Sequence, residues 1–258
     1  MDITQLTPYI TAIRVPFIDI FTTVFLVKTE SGNLLFDTAT YDSDVTDIIL
    51  PALAECGVNG AELSAVFISH PHRDHAGGLA ALLARYPDLC VIAGSNALAR
   101  SQTIRNLQIG RDGDVILGDL RIVSLPGHTT DAIALLDTRT NTLLSGDGLQ
   151  LFGIYGSGPW GANISFPKAH LSALDRIAAL ELSAVYPAHD YHPVGDAYVG
   201  KEAISRALDA CREPLFAIRD MIKGDPDATD AQLAARYNGQ GLPTVGSHVF
   251  AAVRRDLL

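Results

Sequence analysis

The stretch Ser69–Leu79, SHPHRDHAGGL, places His70, His72, Asp74 and His75 within six positions and then runs into a glycine pair. Imidazole and carboxylate are the groups that zinc and similar divalent ions take at catalytic sites, where one coordination position stays open for water. A lone histidine is usually structural, but this chain has only eight, and three of them fall here, directly behind an apolar run. His70 and His72, two apart, can turn the same way from an extended segment, and Asp74 and His75 come round on the next turn. That spacing suits two adjacent metal ions.

Outward from this stretch, apolar runs of strand type alternate with helical patterns. LSAVFISH (63–70) is a short continuous apolar run that delivers His70 to a loop, and GGLAALLARYP (77–87) follows as a helix ended by Pro87. Gly77 and Gly78 let that helix begin tight against the donor loop. Upstream, Val45, Ile48, Ile49 and Leu53 recur at helical spacing over 43–56, with Gly57 as the stop. Two further segments resemble each other: VFLVKTESGNLLFDTA (24–39) and IALLDTRTNTLLSGDG (133–148) each have two apolar runs about a polar turn. Each predicts a β-hairpin closing on an acidic residue, Asp37 or Asp147, and together they imply two related halves.

If the donors sit at a sheet edge, other strand ends should supply more of them. They do: LRIVSLPGH ends in His128, NTLLSGD in Asp147 and LSAVYPAH in His189. FPKAHLSALDRIAALE (166–181) is helical, and from about Val199 the chain is helical to its end. The alternation predicts an α/β fold, sheets covered by helices, with a C-terminal helical appendage.

The series HPHRDH, PGHT, SGD, PAH, spread over about residues 20–195, resembles the metallo-β-lactamase-fold superfamily, which includes glyoxalase II-type thioesterases and lactonases. The resemblance implies an αββα sandwich with residues 1–198 as catalytic domain and 199–258 as a helical extension packed on it. It implies that His70, His72 and His128 bind one metal ion, that Asp74, His75 and His189 bind a second, and that Asp147 bridges them. Zinc is the expected metal, with iron and manganese as alternatives. Asp37 falls where that family keeps an acidic residue near the site and is expected to orient a ligand by hydrogen bond.

Two divalent ions roughly 3.5–4 Å apart share a water and lower its pKa, so a metal-bridging hydroxide serves as nucleophile and no serine or cysteine is required. No GxSxG elbow is present. Asp74 and Asp147 are the expected catalytic residues, Asp74 by orienting the hydroxide. The expected reaction is hydrolysis of an ester or thioester of a small molecule. Alternatives are a lactonase of the acyl-homoserine-lactone type, a β-lactam hydrolase, and a mononuclear iron persulfide dioxygenase. An aspartate at 147 disfavours the β-lactamases that carry cysteine there or lack a bridging carboxylate. The stretch 148–168 has no lysine or arginine before Lys168, which departs from glyoxalase II-type glutathione sites. Tyr155, Trp160 and His192 are the candidate substrate contacts, the first two in a glycine- and aromatic-rich segment suited to a lid. His170 and His248 are expected to be structural.

With 258 residues, 48% hydrophobic and 19% charged, the chain is long enough for a full core, and no run is long and apolar enough for a membrane span. A net charge of −10, with Arg254–Arg255 as the longest basic feature, argues against nucleic acid as a partner. Cys56, Cys90 and Cys211 are odd in number and widely spaced, so no disulfide framework is expected. The N-terminal ten residues lack the basic and apolar regions of a secretory signal, and a cytoplasmic protein, free to form a homodimer, is expected.

Overall fold

The computed structural model describes the chain except for residues 19, 101, 150–162, 192–194 and 241–243. It divides into two compact units, 1–124 with 133–140, and 125–132 with 141–258.

In the first unit, β1 (Asp2–Gln5), β2 (Ile10–Phe17), β3 (Ile20–Thr29) and β4 (Gly32–Phe36) form an antiparallel meander. β3 and β4 are the first hairpin expected from the sequence. The helical pattern over 43–56 becomes α1 (Asp42–Asp44), a π-helical stretch (Val45–Ile49) and α2 (Leu50–Glu55). Apolar spacing specifies a buried face and does not distinguish one helical winding from another. β5 (Leu63–Ile68) then pairs parallel to β4 and to β6 (Cys90–Ala93), and β7 (Leu107–Ile109) completes a seven-stranded sheet in chain order. Because β5 lies between parallel neighbours, it needs apolar residues on both faces, and all of it but Ser64 is buried.

Between β5 and β6 lie α3 (Arg73–Ala76) and α4 (Leu79–Arg85). Leu35, Val66 and Ile68 of the sheet pack with Ile49, Leu53 and Leu82 of the helices in one core cluster. A Cβ on Gly77 would lie 2.0 Å from the Thr40 carbonyl oxygen, so the chain can enter α4 this close to the backbone after β4 only without side chains. The unit also contains the antiparallel strands β8 (Val115–Ile116), β9 (Leu120–Ser124) and β10 (Ile133–Asp137).

The ends of β4 and β5 and the turn of α3 meet at one carboxylate. Asp37 is fully buried, its amide donates to the Phe67 carbonyl (2.8 Å), and its side chain accepts from three donors. These are the Ser69 amide at 2.7 Å, the Ser69 hydroxyl at 2.8 Å and His75 Nδ1 at 2.7 Å. Burial pushes the Asp37 carboxyl above its ordinary pKa, and His75 and Ser69 work against that shift. Asp37 itself has φ +64°, left-handed backbone that a residue other than glycine adopts at a cost.

In the second unit, β11 (Thr142–Gly146) pairs parallel to β12 (Ala184–Pro187), which pairs antiparallel to β13 (Tyr198–Val199). α5 (Pro167–Ala178) starts on a proline, which fits the first turn of a helix because its missing N–H would have no helical acceptor. α6 (Lys201–Gly224), α7 (Asp230–Asn238) and α8 (Ser247–Leu257) form the helical C-terminal region expected from the sequence. Leu208, Cys211, Leu215, Ile218 and Ile222 recur at spacings of three and four along α6 and are buried. Leu215, Ile218 and Ile222 cluster with Leu233 and Tyr237 of α7 and Phe250 of α8. No helix among the described residues is long and apolar enough to cross a membrane.

His170, on α5, is fully buried, and neither of its ring nitrogens has a hydrogen-bond partner among the described residues. A Cβ on Gly127 would lie 2.5 Å from its Nδ1, so the ring fits there only because residue 127 has no side chain. Burial, reinforced by the charges of His128 and Arg212, lowers its pKa from 6.5 to about 4.

Two stability measurements follow. Asp37→Ala strands the Ser69 amide and hydroxyl and the His75 ring in a dry interior, which should cost about 3 kcal/mol or more in urea unfolding of the metal-free protein. For His170, the unfolded chain takes up a proton near pH 6.5 while the folded chain resists it until about pH 4. Stability should therefore fall as pH drops through that window. His170→Leu should remove this component, so that the stability difference between variant and parent shifts in the variant's favour between neutrality and about pH 5; an unchanged difference would count against it.

Candidate metal centre

Each unit holds a set of imidazole and carboxylate groups. In the first, His70 follows β5, His72 sits at the start of α3, and Asp74 and His75 lie in its only turn. The ring centroids of His70 and His72 are 4.6 Å apart and those of His70 and His75 4.1 Å, and His75 Nε2 lies 3.5 Å from Asp74 Oδ2. The structure thus gathers all four donors of the opening stretch.

In the second unit, His128 lies in the segment 125–132, Asp147 follows β11 and His189 follows β12. Gly146 has φ +53°, and the β11–β12 register shifts between Leu144 and Gly146, so the chain leaves the ladder just before Asp147. The Ala188 amide donates to the Gly146 carbonyl at 3.2 Å, which holds the two strand ends side by side. His189 Nε2 then lies 3.3 Å from Asp147 Oδ1, and His128 Nε2 lies 3.7 Å from Asp147 Oδ2. Each oxygen of one carboxylate therefore faces a different histidine.

The tautomers follow from the partners. A carbonyl oxygen can only accept, so His128 Nδ1 carries the proton in its 2.6 Å contact with the Asn163 carbonyl, leaving the Nε2 lone pair directed toward Asp147. Asp37 fixes the His75 ring in the same sense. The Ser69 hydroxyl, whose proton goes to Asp37, lies 3.1 Å from His70 Nδ1 and accepts from it. Three rings are thus held by Nδ1 with Nε2 as the basic nitrogen, the arrangement in which histidine binds a metal. The donor set fits divalent metal ions, and histidine and aspartate groups able to hold them are present.

Asp37, expected to orient a ligand, hydrogen-bonds His75 Nδ1 at 2.7 Å. The contacts of Ser69 and Asn163 with these histidines were not legible in the sequence: Ser69 is one hydroxyl among many, and Asn163 meets His128 through its backbone carbonyl, which any residue would supply. Tyr155, Trp160 and His192, the expected substrate contacts, lie outside the described residues.

A family model described as the metallo-beta-lactamase superfamily matches residues 18–189. A hydroxyacylglutathione hydrolase of Synechococcus sp. (strain JA-3-3Ab) is 34% identical over 157 residues, 59% of this chain and 58% of that protein. The atrochrysone carboxyl ACP thioesterase AgnL7 of Paecilomyces divaricatus is 30% identical over 65% of this chain and 50% of that protein. The chain thus spans between half and three fifths of the length of these two curated relatives. Among solved structures, a metallo-beta-lactamase family protein from Thermus thermophilus has a TM-score of 0.70 at 18% identity, covering 97% of this chain and 92% of the other, a likeness of fold alone. These matches bear out the α/β sandwich class expected from the sequence, and the chain belongs to the metallo-β-lactamase superfamily.

Proposed function

We propose that this protein is a metal-dependent hydrolase that cleaves an ester or thioester bond of a small-molecule substrate at a dinuclear centre. The observation that carries the proposal is the position of Asp147, whose two carboxylate oxygens face the Nε2 atoms of two different histidines. A carboxylate so placed suits a bridge between two ions better than a ligand to one. His70, His72 and His128 would hold the first ion and Asp74, His75 and His189 the second, with Asp147 serving both. Zinc is the metal we favour, from a donor set of imidazoles and carboxylates without thiolate. Residues 1–198 would form the catalytic part and 199–258 the extension.

Divalent ions bound there would supply Lewis acidity toward the scissile carbonyl and an activated water. The chain's own residues have the remaining tasks. Asp37 and Ser69 fix the rings of His75 and His70, so the Nε2 lone pairs need no reorientation when an ion arrives. Asp74, with Oδ2 3.5 Å from His75 Nε2, is the carboxylate we assign to orienting the attacking water and accepting its proton. Tyr155, Trp160 and His192 would contact the acyl group.

The thioester reading draws support from two relatives whose names are those of a hydroxyacylglutathione hydrolase and an ACP thioesterase. A small-molecule acyl donor fits the acidic net charge of −10 better than a polyanion does. The three free cysteines suit a reducing, cytoplasmic setting.

Elemental analysis of protein purified without added metal should find about two equivalents of divalent metal, and a thioester should be hydrolysed faster than a lactone or a β-lactam. Asp147→Ala and Asp74→Ala should each lower kcat/KM by about a hundredfold or more, with Asp147→Ala also releasing metal. One equivalent of iron, with oxygen consumed on a persulfide and no hydrolysis, would overturn the proposal in favour of dioxygenase chemistry.

A further inference from the structure

The segment Asn163–Phe166 is held on two sides by hydrogen bonds. On one side it meets the His128 loop: the Asn163 carbonyl accepts from His128 Nδ1 at 2.6 Å, and the Ser165 and Phe166 amides donate to the Gly127 carbonyl at 3.0 and 2.9 Å. On the other it meets α8. His248 Nε2 lies 3.0 Å from Asn163 Oδ1, and Arg255 Nη2 donates to the Ser165 carbonyl at 2.8 Å, its guanidinium 5.7 Å from the centre of the Phe166 ring.

We propose that α8 is a clamp that sets the orientation of His128, and that His248 is its positioning residue. The inference rests on the reading of His128 as a metal ligand. The ring of His128 is steered by a backbone carbonyl, and a carbonyl's direction is fixed only when the residues around it are. With Oδ1 of Asn163 pinned by His248 and the Ser165 carbonyl pinned by Arg255, the peptide presenting that carbonyl is held from both ends. Amide oxygen is an acceptor, so His248 donates from Nε2–H.

The clamp has a rigid base, because Val249, Phe250 and Val253 of α8 are buried in the cluster with α6 and α7. His248 is also shaped for the contact. Its ring folds back over Gly246, where a Cβ would lie 2.5 Å from Cε1 and Nδ1, so a side chain at 246 would displace it. α8 lies outside residues 18–189, the part of the chain matched by the family model.

The test is metal binding by the full-length protein, stripped and reloaded with zinc or cobalt, with affinity measured by competition against a chelator. In His248→Ala one of the two equivalents should bind about tenfold more weakly, with a changed cobalt absorption spectrum, while the other keeps its affinity. Gly246→Ala, which crowds the same ring, should reproduce the selective loss, and His248→Gln, whose amide N–H can still reach Asn163 Oδ1, should restore the affinity. Unchanged affinity for both equivalents in His248→Ala, or an equal loss at both with a lowered unfolding midpoint, would overturn the clamp. A parent protein that binds no metal would instead overturn the functional reading, and the clamp with it.

Discussion

A single buried carboxylate holds the first unit's histidine cluster in place. Asp37 directly follows β4, yet its side chain is satisfied by the residue after β5 and by the turn of α3, so three separate stretches of chain have one polar group in common. A fully buried carboxylate is tolerated only when its hydrogen-bonding capacity is met. The fold is therefore committed to an arrangement in which His75 and Ser69 stand beside Asp37, and that arrangement fixes the tautomer of His75 and aligns His70. With Asp37 fully buried, water is not there to take the place of a lost partner, which makes the commitment strict.

The second unit solves the same problem with backbone. His128 leans on the carbonyl of Asn163, and Asp147 and His189 are brought side by side by the Gly146–Ala188 hydrogen bond between neighbouring strand ends. One unit orients its histidines with a dedicated acid, the other with peptide groups. Both leave histidine Nε2 as the basic atom, which is the chemical requirement the sequence's clustered histidines announced.

That difference explains how much could be read in advance. Four of the donors, His70, His128, Asp147 and His189, were visible because each is a polar residue ending an apolar run, a pattern that folding alone does not favour; His72, Asp74 and His75 were visible by their crowding behind the first of these, and Asp37 stood out at the end of the first hairpin. β5 and the helix of 166–181 declared themselves through continuous or periodic burial. The short strands β1, β7 and β8 carry too few residues for a period to register. The π-helical winding of Val45–Ile49 leaves the apolar spacing intact and so leaves no trace in it. His248 was expected to be structural, for its contact with Asn163 depends on how α8 lies against a segment 85 positions away.

The order of strands in the first sheet bears on how the chain reaches this state. β1 to β4 join neighbours across short turns, whereas the parallel pairs β4–β5 and β5–β6 form only after crossovers that carry helices. Closing such loops costs chain entropy before any pairing repays it, and rates fall as contacts become less local. The meander can therefore assemble early, with Asp37 at its end still open to solvent, while His75 arrives from 38 residues further along. The histidine cluster of this unit is a product of the slower half of the topology, and a nascent chain carries its orienting acid before it has anything to orient.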